Sequence, residues 1–97
     1  MDGQASISAD ILARYAADAA REVAGVHSVA ESALPGRRGV RVVTGDDGVH
    51  VELHLTVEWG ASIPELGREV QGRVREYLLR MADVEPASVD VVVDEVA

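Results

Sequence analysis

The sequence predicts a two-layer α/β fold in the order α-β-β-α-β: a small mixed three-stranded sheet with two helices on one face. Three observations predict it. Residues 49–59, VHVELHLTVEW, alternate apolar and polar side chains without a break, as a strand does when one face is core and the other wet. Two stretches, residues 8–25 and 62–82, place apolar residues at helical spacing. The second of these joins the long strand to a final one, residues 88–96, and such a crossover has those two strands run parallel, while the final strand's neighbour, the long strand or the short one, stays open.

The first helix has both ends marked. Ser8 is placed as its N-cap, Asp10 suits the positive end of the dipole, and Ile7 and Leu12 have the spacing of a hydrophobic staple. Leu12, Tyr15, Ala16, Ala19 and Val23 form an alanine-rich stripe, so this helix is expected to lie close to its neighbours. Gly25 stands where a left-handed glycine ends a helix.

Residues 27–39 read as loop, punctuated by Pro35, Gly36 and Gly39. A short strand, residues 40–44, leads into GDDG, residues 45–48, whose Asp and Gly tolerate the positive φ of a tight hairpin. In the long strand Val49, Val51, Leu53, Leu55, Val57 and Trp59 face the core, with His50, Glu52, His54, Thr56 and Glu58 opposite.

The second helix opens with Ser62 and Glu65 as a capping box and Pro64 in its first turn. Its stripe is Ile63, Leu66, Val70, Val74, Tyr77, Leu78 and Met81, and Gly67 beside the stripe is expected to permit close approach. In the final strand Val89, Val91 and Val93 point inward. A hairpin closed at GDDG leaves residues 56–59 of the long strand beyond the reach of residues 40–44. That stretch is expected to be an open edge giving weak, pH-sensitive self-association, unless the chain before Gly39 folds back as a further strand.

Composition narrows the function classes. A chain of 97 residues can bury roughly 60–65% of its unfolded surface without staples. It has no cysteine, which excludes disulfides, thiolate zinc sites and cysteine nucleophiles. With 17 acids against 9 bases the formal net charge is −8, unfavourable for nucleic acid and for an anionic leaflet. The opening MDGQASIS has neither a basic region nor an apolar core of a secretory signal, and no apolar run approaches a membrane span, so a cytoplasmic location is expected.

Two clusters carry chemistry worth weighing. Arg37, Arg38 and Arg41 form the only basic cluster, and GRRG, residues 36–39, matches the G-x-x-G with which a KH-like RNA-binding module grips a backbone. Here it precedes a strand instead of joining two helices, and Tyr15, Tyr77 and Trp59 all read as core, leaving no stacking platform. His50, Glu52 and His54 share one strand face, and Asp90 or Asp94 could add a ligand. Neighbours on that face lie roughly 7 Å apart, so one metal reaches two of the three but hardly all, and no metal or other cofactor is expected. Ser8 and Ser62 serve as caps, Ser28 beside His27 lacks a third member, and no phosphate loop is present, so no catalytic residue is expected.

Taken in order, EVAGV at the end of the first helix, the long strand closing on an aromatic and Gly60, then ASIPEL, VQGRV and VDVVVDEV resemble the bacterial alkaline-shock-protein family. The resemblance covers residues 6–96, read as one domain of that kind. It implies a non-enzymatic interaction or scaffold module of general or cell-envelope stress, cytoplasmic and self-associating, with protein partners that can include a membrane-anchor protein. Nucleic acid and direct membrane insertion are not expected. The alternative is the KH-like module, and the residues offered for interaction are Arg37, Arg38, Arg41, His50, Glu52 and His54.

Overall fold

A computed structural model of the protein describes residues 8–29 and 39–97. Its elements are α1 (Ala9–Arg21), β1 (Val26–Val29), β2 (Val40–Gly45), β3 (Gly48–Val57), α2 (Ile63–Ala82) and β4 (Ser88–Val96). Ile7 and the staple, together with Arg37 and Arg38, lie outside the described residues.

β3 is the central strand of a mixed sheet. β2 pairs with it antiparallel from Gly45↔Gly48 to Val40↔Leu53, so the two aspartates of GDDG are the hairpin turn. β4 pairs with its other side in parallel, from His50↔Ser88 to Val57↔Val96, as the crossover through α2 requires. Among the described residues the sheet has four strands, where the sequence predicts three. The extra one is β1, which pairs antiparallel with the far end of β3, Val26↔Val57 and Ser28↔Thr56.

β1 also corrects the expected open edge at residues 56–59. Beyond its ladder the Glu58 amide donates to the Gly25 carbonyl at 2.8 Å, and the Trp59 amide donates to the Ala97 carbonyl at 3.1 Å. The main chain of that stretch is therefore engaged, and the loop expected over residues 27–39 begins with a strand.

Both helices cover one sheet face. Val51, Leu53, Leu55 and Val57 of β3 are buried beneath Leu66, Val70, Val74 and Leu78 of α2 and the alanine stripe of α1, where Ala13, Ala17 and Ala20 join the expected set. Tyr15 and Tyr77 meet edge to face at 5.8 Å between ring centroids, one from each helix. Trp59 is a correction: β3 ends at Val57, and the indole is 84% exposed instead of core. Ile63 and Met81 are likewise exposed at the two ends of α2.

Some end signals differ from expectation. Ser8 caps α1 through Oγ, which accepts the Ile11 amide at 3.2 Å, but Ser62 makes no side-chain cap, so the capping box with Glu65 is not formed. Its carbonyl still accepts the Leu66 amide at 2.8 Å. α1 ends at Arg21, before Gly25, which holds φ +98° in the link to β1. Among the described residues nothing approaches Gly67 within 4 Å of its Cβ position, so none of them explains it by close approach.

Candidate functional site

The sheet face opposite the helices carries the polar positions of β3. Alternation sets His50, Glu52 and His54 on that face, and the register adds Arg41 and Val43 from β2 and Asp90 and Val92 from β4. Arg41, Val43, His50, Glu52 and Asp90 border a shallow depression there.

The two histidines are held differently. His50 Nε2 lies 2.8 Å from Asp47 Oδ1 in the hairpin turn, and Nδ1 lies 2.7 Å from Ser88 Oγ at the start of β4. A neutral ring satisfies both: Nε2–H donates to the carboxylate and the serine hydroxyl donates to Nδ1. The same bond holds the exposed Asp47 carboxyl below its usual range.

His54 lies between two carboxylates. Nε2 is 2.7 Å from Glu52 Oε2, and Nδ1 is 3.0 Å from Asp94 Oδ1. Neither carboxylate can donate when ionised, so both ring nitrogens must, and only the imidazolium has two N–H groups. The hydrogen bonds to Glu52 and then to Asp94 accordingly raise the His54 pKa above its ordinary value, against a smaller opposing effect of burial.

Asp94 lies on the His54 face by alternation, two residues beyond Val92, and it is also the residue at which the register shifts. The β3–β4 register runs evenly to Leu55↔Val93 and resumes at Thr56↔Glu95, leaving Asp94 as the extra residue on the face beside His54. His50, Glu52 and His54 thus share a face as the alternation predicts, while Asp47, Ser88 and the register of β4 decide their partners. Asp47 reads from sequence only as a turn residue, and nothing local marks its reach to His50.

Because the folded state raises the His54 pKa, its protonated form contributes stability that is fully present below the unfolded value of about 6.5. That contribution is lost as pH rises through the folded value. Urea unfolding of the wild type at pH 6 and pH 8 should show a fall that His54→Gln lacks. Equal pH dependence of the two proteins would contradict the pairing.

Among the described residues no three His, Asp or Glu side chains are grouped as a metal ion needs. A metal at His54 would have to displace a carboxylate from a ring nitrogen. Adding stoichiometric zinc should therefore leave the melting temperature unchanged; a rise abolished by His54→Ala would make this face a metal site.

These features define a class: a two-layer α/β domain with its core on one sheet face and a polar, ion-paired surface on the other. The chain belongs to the alkaline shock protein 23 family, a family of cell envelope-related function, which it matches over residues 1–97. An uncharacterized protein of Bacillus subtilis (strain 168), YqhY, is 29% identical over 92 residues, covering 84% of this chain and 68% of that protein. Among solved structures, a histidine-to-alanine variant of MamM-CTD superposes with a TM-score of 0.61 at 14% identity, covering 93% of this chain and 99% of that one. A manganese form of a MamM CTD variant gives 0.57 at 15% identity, covering 89% and 96%. At such identities the likeness is one of fold.

Proposed function

We propose that residues 6–96 act as one non-enzymatic interaction module in cell-envelope stress physiology, cytoplasmic and brought near the membrane by a protein partner. The observation that carries this reading is the membership in a family of cell envelope-related function, joined to a sheet face whose ionisable groups are bound to one another. His50 and His54 each have both ring nitrogens engaged, leaving neither poised as a general base. Among the described residues no helix is long and apolar enough to cross a membrane, which fits attachment through a partner. The proposed contact residues on this face are Arg41, His50, Glu52 and His54; Arg37 and Arg38, outside the described residues, are proposed from the sequence alone.

The manganese and zinc forms of MamM CTD concern that domain, and the ion-paired histidines here favour protein contact over metal. The KH-like alternative gains no support from either the net charge of −8 or the family. Titration with mixed single-stranded RNA at low salt should give no saturable shift; micromolar binding lost in an Arg37→Glu, Arg38→Glu double variant would reverse that ranking. The module reading is tested by cross-linking in intact cells, followed by capture from separated membrane and soluble fractions. Specific protein partners in the membrane fraction are expected. Recovery of the protein without any would overturn the reading.

A further inference from the structure

β4 is paired on one side only: among the described residues β3 adjoins it and no strand lies beyond. Which of its main-chain groups face outward follows from the ladder. The His54 amide donates to the Gly39 carbonyl, so even positions of β3 point toward β2 and odd ones toward β4. Through the register this turns Ser88, Asp90 and Val92 inward to β3 and leaves Val89, Val91 and Val93 facing out. The Val89 carbonyl confirms the parity, because it is taken by Gln71 Nε2 of α2 at 2.8 Å. Arg75 likewise holds the Pro86 carbonyl at 3.0 Å. These two side chains cap the start of the edge, and from Val91 onward no such cap is present among the described residues.

The uncapped part of the edge has a distinct chemistry. Val92 and Val96 are exposed, and beyond them the Trp59 amide is bonded to the Ala97 carbonyl, which places the Trp59 main chain beside the end of β4 with its side chain 84% exposed. Asp90, Asp94, Glu95 and Glu58 are the exposed charged residues along β4 and next to Trp59; Asp94 is already bound to His54, so Asp90, Glu95 and Glu58 carry the selection. We propose that this edge of β4, from Val91 to the Trp59 indole, receives an extended basic segment of a partner protein as an added strand. The main-chain groups supply pairing, the acids select Lys or Arg, and the indole is the anchor that binding buries.

Charge decides against a second copy as the occupant. Two β4 strands laid antiparallel along this edge would bring Asp90 and Glu95 of one copy alongside the acids of the other, with Asp94 already shared with His54, and like charges brought close together are destabilising. The same acids oppose an anionic leaflet. This proposal rests on the interaction-module reading and names the partner's chemistry.

The probe is a labelled acetyl-(Lys-Val)5-amide peptide, titrated into the full chain at physiological salt. Saturable binding with a blue shift of Trp59 emission is expected. Affinity should fall at least tenfold for Trp59→Ala, for Val91→Pro with its melting temperature checked, and for a peptide N-methylated at alternate residues, which leaves the protein untouched. A (Glu-Val)5 peptide should not bind. Equal affinity for the N-methylated peptide or for Trp59→Ala would overturn the proposal, as would absence of binding. So would a concentration-dependent dimer abolished by Val91→Pro, or an indole shift produced only by vesicles containing phosphatidylglycerol. Should the Val91→Pro protein capture the same membrane-fraction partners as the wild type, the module reading stands and the edge is not its surface.

Discussion

Leu53→Ala should lower the unfolding free energy by about 3 kcal/mol, within the 2–5 kcal/mol that a buried leucine commonly costs. Leu53 has no exposed surface and sits midway along β3, with Val40 beside it in β2 and Val91 beside it in β4. Strands on both sides and helices above leave little freedom for the site to collapse, so most of the vacated volume should persist as a cavity. For a chain of this size the loss corresponds to a fall in melting temperature of roughly 10–20 °C. Arg41→Ala, exposed on the opposite face, should change stability by less than about 0.5 kcal/mol. Urea denaturation of both variants makes the comparison. A cost below about 1 kcal/mol for Leu53→Ala would mean that the core is not centred on β3.

The same alternation that predicts this contrast made most of the architecture legible. VHVELHLTVEW shows its two faces directly, and the crossover rule makes the strands before and after the second helix parallel; that they are neighbours is seen only in the ladder between β3 and β4. β1 was not legible because VHSV is four residues long with two polar positions in a row. What makes it a strand is its pairing with Thr56 and Val57, some thirty residues away, through an irregular register. Trp59 was misread because the period-two pattern continues two residues past the point where the chain leaves the sheet. The turn that takes it away depends on Gly60 at φ +90°, and a glycine following a strand is too common a signal to end one.

The candidate site was legible to the same depth. That His50, Glu52 and His54 share a face follows from spacing alone. That His54 ends between two carboxylates, while His50 meets a carboxylate and a hydroxyl, depends on the register of β4, which sets Ser88 beside His50 and Val92, with Asp94 following it, beside His54. Parallel pairing across a twenty-residue helix leaves register free in the sequence, since a shift of two residues keeps every face intact.

Gly25→Ala and Gly67→Ala should move stability in opposite directions, although both replace glycine by the same small residue. At Gly25 two costs combine. Its φ of +98° is one that L-residues rarely adopt, and an added Cβ would lie 2.7 Å from Leu66 Cδ1 and 3.5 Å from Ala61 Cβ. Leu66 is buried, so its methyl cannot swing into solvent to make room. A loss of about 2–3 kcal/mol is expected from backbone strain and overlap together. At Gly67, within α2, nothing among the described residues lies within 4 Å of the Cβ position, so alanine should stabilise by about 0.5–1 kcal/mol through better helix propensity. The two costs at Gly25 separate in a double-mutant cycle with Leu66→Ala. Removing the leucine methyls abolishes the overlap and leaves the φ strain, so Gly25→Ala should cost less in that background by the steric share alone. An unchanged cost would assign the whole effect to the backbone, and a neutral Gly25→Ala in the wild type would mean that the link between α1 and β1 relaxes away from its left-handed turn.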